Sequence, residues 1–183
     1  MEIKRVSGLR TNRTLGPTMV AICFLSLGVG QALAGDREEV AALVHSFAAR
    51  GDQSDGAAFR ALFVNQPTVS LGTKGPLSSD VFFSAWAKRM NEFKTLGAVR
   101  RQHVTTLVVE PPAGGKVTAT ASLLTTIVQN NEIQLADTGN ARFEAVKVGG
   151  AWKIKTLGLS SDTTRLDMIR LEMNNSTDLK GAP

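Results

Sequence analysis

The chain has no tyrosine, two histidines, two tryptophans and a single cysteine. Each scarcity removes a class of chemistry. Cys23 lies inside an N-terminal apolar run, so the chain beyond it holds no thiol. It needs neither disulfides nor a thiolate nucleophile, and an oxidising compartment would not trouble it. Two histidines without a usable cysteine make a zinc site improbable, and no metal is expected. There is no phosphate-binding glycine loop, no G-x-G-x-x-G and no nucleophile elbow; Gly158-Leu-Ser-Ser-Asp162 lacks the second glycine. No cofactor is expected. Ser160 beside Asp162 reads as a strand end and turn.

Charge of one sign is also lacking once the N-terminus is set aside. Lys4, Arg5, Arg10 and Arg13 form a basic segment, Met19 to Val29 is uncharged and apolar, and Ala32-Leu33-Ala34 places small residues where a signal peptidase reads them. Residues 1–34 are expected to be a signal peptide cleaved before Gly35, with the mature chain periplasmic or secreted. The alternative is an uncleaved anchor, for which the run is short against the ~20 apolar residues of a spanning helix. After cleavage no membrane contact is expected. Residues 1–34 hold four of the 21 basic and one of the 16 acidic residues, so the net charge falls from +5 to +2 without them. So small an excess gives no case for nucleic-acid binding. The remaining residues are enough for one core, hence one domain.

The mature chain begins with helical patterning. Asp36 reads as an N-cap, with Glu38 and Glu39 in the first turn. Val40, Leu43, Val44 and Phe47 recur at helical spacing, and Gly51 ends the helix. His45 falls off that stripe and reads as a surface residue. Gly51 to Gly56 is a turn, in which Asp52 reads either as a turn aspartate or as a carboxylate aimed into a cavity. Asp55 caps a short second helix through Phe63, with Phe59, Leu62 and Phe63 inward. Pro67 to Leu71 is a short strand. Ser78 or Ser79 caps a third helix, whose apolar face is Val81, Phe82, Ala85, Trp86, Met90 and Phe93; Gly97 stops it. Trp86 and the phenylalanines fit a core as readily as a ligand platform.

From Ala98 the period changes to two. Strands are expected at Val99–Glu110, Lys116–Gln129, Glu132–Val148 (interrupted near Asp137–Asn140) and Ala151–Leu159. Pro111 to Gly115, Asn130-Asn131 and Gly149-Gly150 are the turns. In the last strand Trp152 and Ile154 point one way, Lys153 and Lys155 the other. Residues 161–183 read as a short helix around Leu166, Ile169 and Leu171, then a disordered tail from Asn174.

The expected fold is α+β: three N-terminal helices on a curved antiparallel sheet. Phe47-Ala-Ala-Arg-Gly-Asp52 followed by Phe59-Arg-Ala-Leu-Phe63, then Arg101-Gln-His103, then Gly150-Ala-Trp-Lys-Ile154 carry a further resemblance. Together they resemble the SnoaL-like group of the nuclear transport factor two superfamily, over about residues 37–159 within a domain set at 35–160. The resemblance implies a cone-shaped fold with an apolar small-molecule pocket, in which Phe47, Phe63, Trp86, Thr105 and Asn140 would be ligand-binding.

Within that group the pattern is nearest the scytalone dehydratase branch, and the resemblance puts Asp52 and His103 at its catalytic Asp and His positions. An imidazole near neutral pKa can move a proton next to a carbonyl or to a leaving hydroxyl, and a carboxylate on its other nitrogen fixes the tautomer. The implied activity is cofactor-free dehydration, isomerisation or elimination. The branch also uses tyrosines and a second strand histidine, which this chain lacks; Gly139 and Ala141 stand where polar residues would be. Gln102, Thr105, Asn140 and Arg142 are the remaining polar candidates, and His103 also reads as a strand-end histidine bonded to backbone. The alternatives are a non-catalytic binding protein of the same fold, and a homodimer paired through the sheet face carrying Thr118 to Val128.

Overall fold

The computed structural model describes residues 18–73 and 75–162, with side chains from Gly35 onward. Three helices and five strands follow in the order α1 (Thr18–Gly51), α2 (Gly56–Arg60), β1 (Phe63–Leu71), α3 (Ser79–Thr95), β2 (Val99–Val109), β3 (Lys116–Gln129), β4 (Glu132–Val148) and β5 (Ala151–Ser161). The strands form one sheet in the order β1-β5-β4-β3-β2, antiparallel except for the β1–β5 pair. The architecture is the α+β arrangement expected, with the helices on one face of the sheet. Among the described residues no helix is long and apolar enough to cross a membrane.

Local chemistry sets most boundaries. Asp55 accepts a hydrogen bond from the Ala58 amide at 3.0 Å and caps α2. Ser78 does the same for α3 through the Val81 amide at 3.4 Å. Gly97, at φ 62°, ends α3 and turns the Ala98 amide back onto the Phe93 carbonyl at 2.8 Å. Asn130 and Asn131 take φ 52° and 64°, the doubly left-handed turn whose twist matches that of the β3–β4 ribbon.

Several expectations need correction. In the full chain Asp36 lies inside α1, which runs from Thr18, and is no N-cap; its carboxylate instead accepts from Lys147 Nζ at 2.6 Å and Trp152 Nε1 at 3.3 Å. The second helix stops at Arg60 and Phe63 opens β1, four residues before the expected strand. Pro67 is tolerated there because β1 is an edge strand. In α3, Val81 and Ala85 are exposed while Phe83 is buried: the inward stripe is Phe82, Phe83, Trp86, Met90 and Phe93. β4 is continuous, and a bulge opposite Thr125 and Thr126 absorbs the break expected near Asp137. The C-terminal helix and tail expected over residues 161–183 lie outside the described residues from 163 on.

The core sits between α1, α2, α3 and the inward face of the sheet. Phe59 is 1% exposed, and its ring lies 5.6 Å from Phe47 and 5.5 Å from Phe63. Phe143 from β4 closes on Phe47 edge-on at 5.2 Å. Burying a phenylalanine stabilises by roughly 1.5–3 kcal/mol, so this cluster fastens helices to sheet.

Candidate functional site

The C-terminal end of α1 gathers the polar side chains of the concave face. Gly51 closes the helix, and Asp52 with the residues after it favours a turn. The freed Gly51 carbonyl takes two donors, Trp86 Nε1 at 3.1 Å and Arg100 Nη1 at 3.3 Å. Asp52 Oδ1 accepts from Arg100 Nη1 at 2.7 Å, and Oδ2 from the Gln102 amide at 2.6 Å. Helix, α3 and β2 are thus tied at one point. The guanidinium is also suited to the negative end of the α1 dipole.

Arg100 and Gln102 reach Asp52 because β2 alternates. Arg100, Gln102 and Val104 are half-buried and face the helices, while Arg101, His103 and Thr105 are exposed on the other side. Gln102 is paired with buried Thr125, and Thr125 with Asp137, so a polar row crosses β2, β3 and β4 on the inward face. Asp137 Oδ1 accepts from Ser161 Oγ at 2.6 Å. The side chains of Asp52 and Arg100 are 13% and 20% exposed, which makes desolvation the deciding influence. Burial pushes the Asp52 carboxyl above its ordinary value, and the Gln102 amide and the Arg100 guanidinium pull it back only in part. Burial likewise pushes Arg100 down, with Asp52 opposing it.

Asp52 and His103 are not brought together. Both Asp52 oxygens are held by β2 groups other than the imidazole. His103 stands on the outward face, opposite Leu124, with Nε2 3.4 Å from Thr126 Oγ1. The physical reason is parity: successive strand residues point to opposite faces, and His103 follows Gln102.

The expected ligand-binding residues also divide between the two faces. Trp86 lies beside the Asp52 site, its ring stacked on Phe59 at 4.6 Å. Phe47 and Phe63 are buried in the core, 6.3 Å apart and 4% and 5% exposed. Thr105 is outward, donating to the Ser122 carbonyl at 3.2 Å, and Asn140 is outward too, accepting from Ser122 Oγ at 3.1 Å. They do not line one common cavity. His45 is exposed, as expected. Arg100, absent from the expected set, is the residue that organises the concave site. Among the described residues no three His, Cys, Asp or Glu side chains gather as metal ligands.

Comparison with known proteins agrees with this architecture. Aln2 from a Streptomyces species superposes with a TM-score of 0.61 at 21% identity, covering 68% of this chain and 89% of that one. A Novosphingobium aromaticivorans protein of the nuclear transport factor two-like class, with a cystatin-like fold, gives 0.62 at 16% identity over 76% and 91%. A provisionally assigned scytalone dehydratase from the same organism gives 0.57 at 17% over 71% and 86%. At these identities the likeness is one of fold. Among curated proteins none is significantly similar in sequence. The SnoaL-like domain model, in contrast, matches residues 33–158, more than half of the chain, and the chain therefore belongs to the SnoaL-like domain family.

Proposed function

We propose that this chain is an exported SnoaL-like protein that binds a small, largely apolar molecule on its concave side and does not turn it over. The observation that carries this reading is the partnering of Asp52 by Arg100 and the Gln102 amide instead of by an imidazole. An acid–base dyad needs a group that gives and takes a proton near neutrality, and a guanidinium does not. A binding site needs directional donors beside an apolar wall. Arg100 engages Gly51 and Asp52 through Nη1, which leaves its other N–H groups for a ligand oxygen, with the Trp86 ring alongside. Native mass spectrometry of the purified protein tests this. A retained small molecule, lost in Arg100→Met and unchanged on incubation, is expected. An unliganded mass, with no ligand-induced thermal shift across a panel of polycyclic ketones, would overturn it.

A second reading is favoured by one observation. Burial raises the Asp52 carboxyl, which moves it toward the range where a lone carboxylate serves as general base in dehydration or isomerisation. Turnover abolished by Asp52→Asn and untouched by His103→Ala would establish that reading over simple binding.

Export is part of the proposal. Asp36 lies two residues beyond the expected cleavage point and is already anchored to β4 and β5, so a domain beginning at Gly35 keeps that tie. N-terminal sequencing of the processed protein should read Gly-Asp-Arg; any other start would overturn the assignment. The partner we propose is a second copy of the chain. Val99, Val128 and Ile133 are paired in register across β2, β3 and β4 on the outward face, with Leu135 two residues along. Ile133 and Leu135 are 74% and 60% exposed. Such a row is an association surface on a sheet.

A further inference from the structure

The outward face carries a second feature, displaced along the strands from that apolar row. Thr120, Arg142, Gly158 and Ser70 are paired in register across β3, β4, β5 and β1. In the neighbouring row Ser122, Asn140 and Ser160 are paired across β3, β4 and β5. Positions two apart on a strand share a face, so both rows look outward. Gly158 puts no side chain between Arg142 and Ser70. A depression of about 410 Å³ opens there, with Gly72 and Ser160 on its rim. On β3 the nearest members of the two features, Ser122 opposite Asn140 and Thr126 opposite Leu135, are four positions apart, about 13 Å along an extended strand, so the depression opens beyond the end of the apolar row.

The lining is rich in donors and holds no acidic side chain. Glu144, two positions along the same face, already accepts from Lys116 Nζ at 2.9 Å and faces Lys155 Nζ at 3.8 Å. The Arg142 guanidinium therefore has no hydrogen-bond partner among the described residues. Asn140 Oδ1 is occupied by Ser122 Oγ, which leaves the Asn140 amide N–H groups to donate. The Ser70 and Thr120 hydroxyls complete the set.

We propose that this depression is a binding site for the carboxylate of a small organic acid. A guanidinium meets a carboxylate through two parallel N–H···O bonds, and the geometry of the fork is what a lysine in its place would lack. One cation flanked by neutral donors matches a single negative charge better than the double charge of a phosphate. The size falls within the ~300–1,000 Å³ of small-molecule sites.

The test is amide NMR of the purified protein titrated with sodium benzoate, with benzyl alcohol and inorganic phosphate as comparisons. Saturable shifts at Gly72, Asn140 and Gly158 are expected with benzoate. Arg142→Gln should weaken them about tenfold or more, the loss of a charge-assisted pair, and Arg142→Lys should weaken them too. Gly158→Val should abolish them by filling the gap, since a Cβ there meets Ser70 Oγ at 3.4 Å, an ordinary contact. The site is overturned by shifts no stronger with benzoate than with benzyl alcohol, or by binding indifferent to Arg142→Gln. Tighter binding of phosphate would overturn the carboxylate assignment. Because the readout lies on the outward face, none of these outcomes depends on the concave site.

Discussion

The Arg100 guanidinium sits 2.7 Å from the Asp52 carboxylate, and the two side chains are among the least solvated charges described in the domain, at 20% and 13% exposure. Both are pushed toward their neutral forms by burial. The pair thus recovers only part of the desolvation it incurs. Its stability signature follows. Arg100→Met leaves a half-buried carboxylate with only the Gln102 amide and should destabilise by about 2–3 kcal/mol, below the ~3–5 kcal/mol of a fully buried pair. Asp52→Leu should cost about as much, by stranding the guanidinium. The double substitution should be milder than either single one. Urea unfolding of the four proteins checks this, and additive losses would show that the two side chains are independent.

Two aspartates should respond to pH with opposite sign. The folded value of Asp52 is raised above its ordinary 3.8, so its contribution is present below 3.8 and is lost as pH rises through the raised folded value. Asp36 is lowered, chiefly by its hydrogen bond from Lys147, so its contribution is present above 3.8 and is lost as pH falls through the depressed value. Lys147 is raised in turn, and its share disappears only as pH climbs through a value above 10.5. Urea midpoints measured across the acid range should show the gap between wild type and Asp52→Asn shrinking with rising pH. The gap to Asp36→Asn should grow over the same range. Parallel slopes would contradict both assignments.

His103→Ala should change stability by less than about 0.5 kcal/mol, because the imidazole is exposed and its hydrogen bond to Thr126 Oγ1 is long at 3.4 Å. Gln102→Pro, one residue away, removes the amide that Asp52 accepts and should be strongly destabilising. Thermal unfolding of the two variants compares faces of one strand directly. A His103→Ala loss as large as that of Gln102→Pro would put the imidazole inside.

That contrast also shows what the sequence could and could not convey. The bounds of β3, the caps Asp55 and Ser78, and the inward Trp152 and Ile154 were legible because punctuating residues and alternation are local. The inward face of β2 was not. Leu107 and Val109 are half-buried, and counting back from them by twos would put Thr105 and His103 inside. A bulge between Val104 and Thr106 shifts the register against β3 and inverts the parity, which brings Arg100 and Gln102 inward. Nothing in Arg-Gln-His-Val-Thr-Thr announces an extra residue. Asp36 is illegible for a related reason: by type it suits an N-cap, while its partners, Lys147 and Trp152, lie more than a hundred residues away.

Gly139 should be intolerant of any side chain. It is paired with Ser161, and a Cβ built on it collides with the Ser160 carbonyl oxygen, a backbone atom with little freedom to retreat. Gly139→Ala should cost about 1–3 kcal/mol or more by forcing β4 and β5 apart. Because Asp137 and Ser161 flank this contact, the Asp137–Ser161 hydrogen bond should open as well. Hydrogen exchange at the Asp162 amide, which donates to the Thr138 carbonyl at 2.8 Å, reads the separation; unchanged protection would mean the strands are not in close approach there.

The apolar row on the outward face makes the last prediction. Val99, Val128 and Ile133 form a continuous stripe across three antiparallel strands, and Leu135 extends it toward Thr126. Leaving Ile133 at 74% and Leu135 at 60% exposure forgoes burial that a second copy would supply, at roughly 25 cal/mol per Å² of apolar surface. A twofold axis through the stripe would make the patch its own complement, so each substitution would act twice in a dimer. Sedimentation equilibrium of the wild type should therefore give a concentration-dependent dimer. Ile133→Asp with Leu135→Lys should shift it to monomer, with the unfolding midpoint of the monomer little changed because neither side chain is in the core. A wild type that stays monomeric at high concentration would remove the second copy as partner while leaving the concave site untouched.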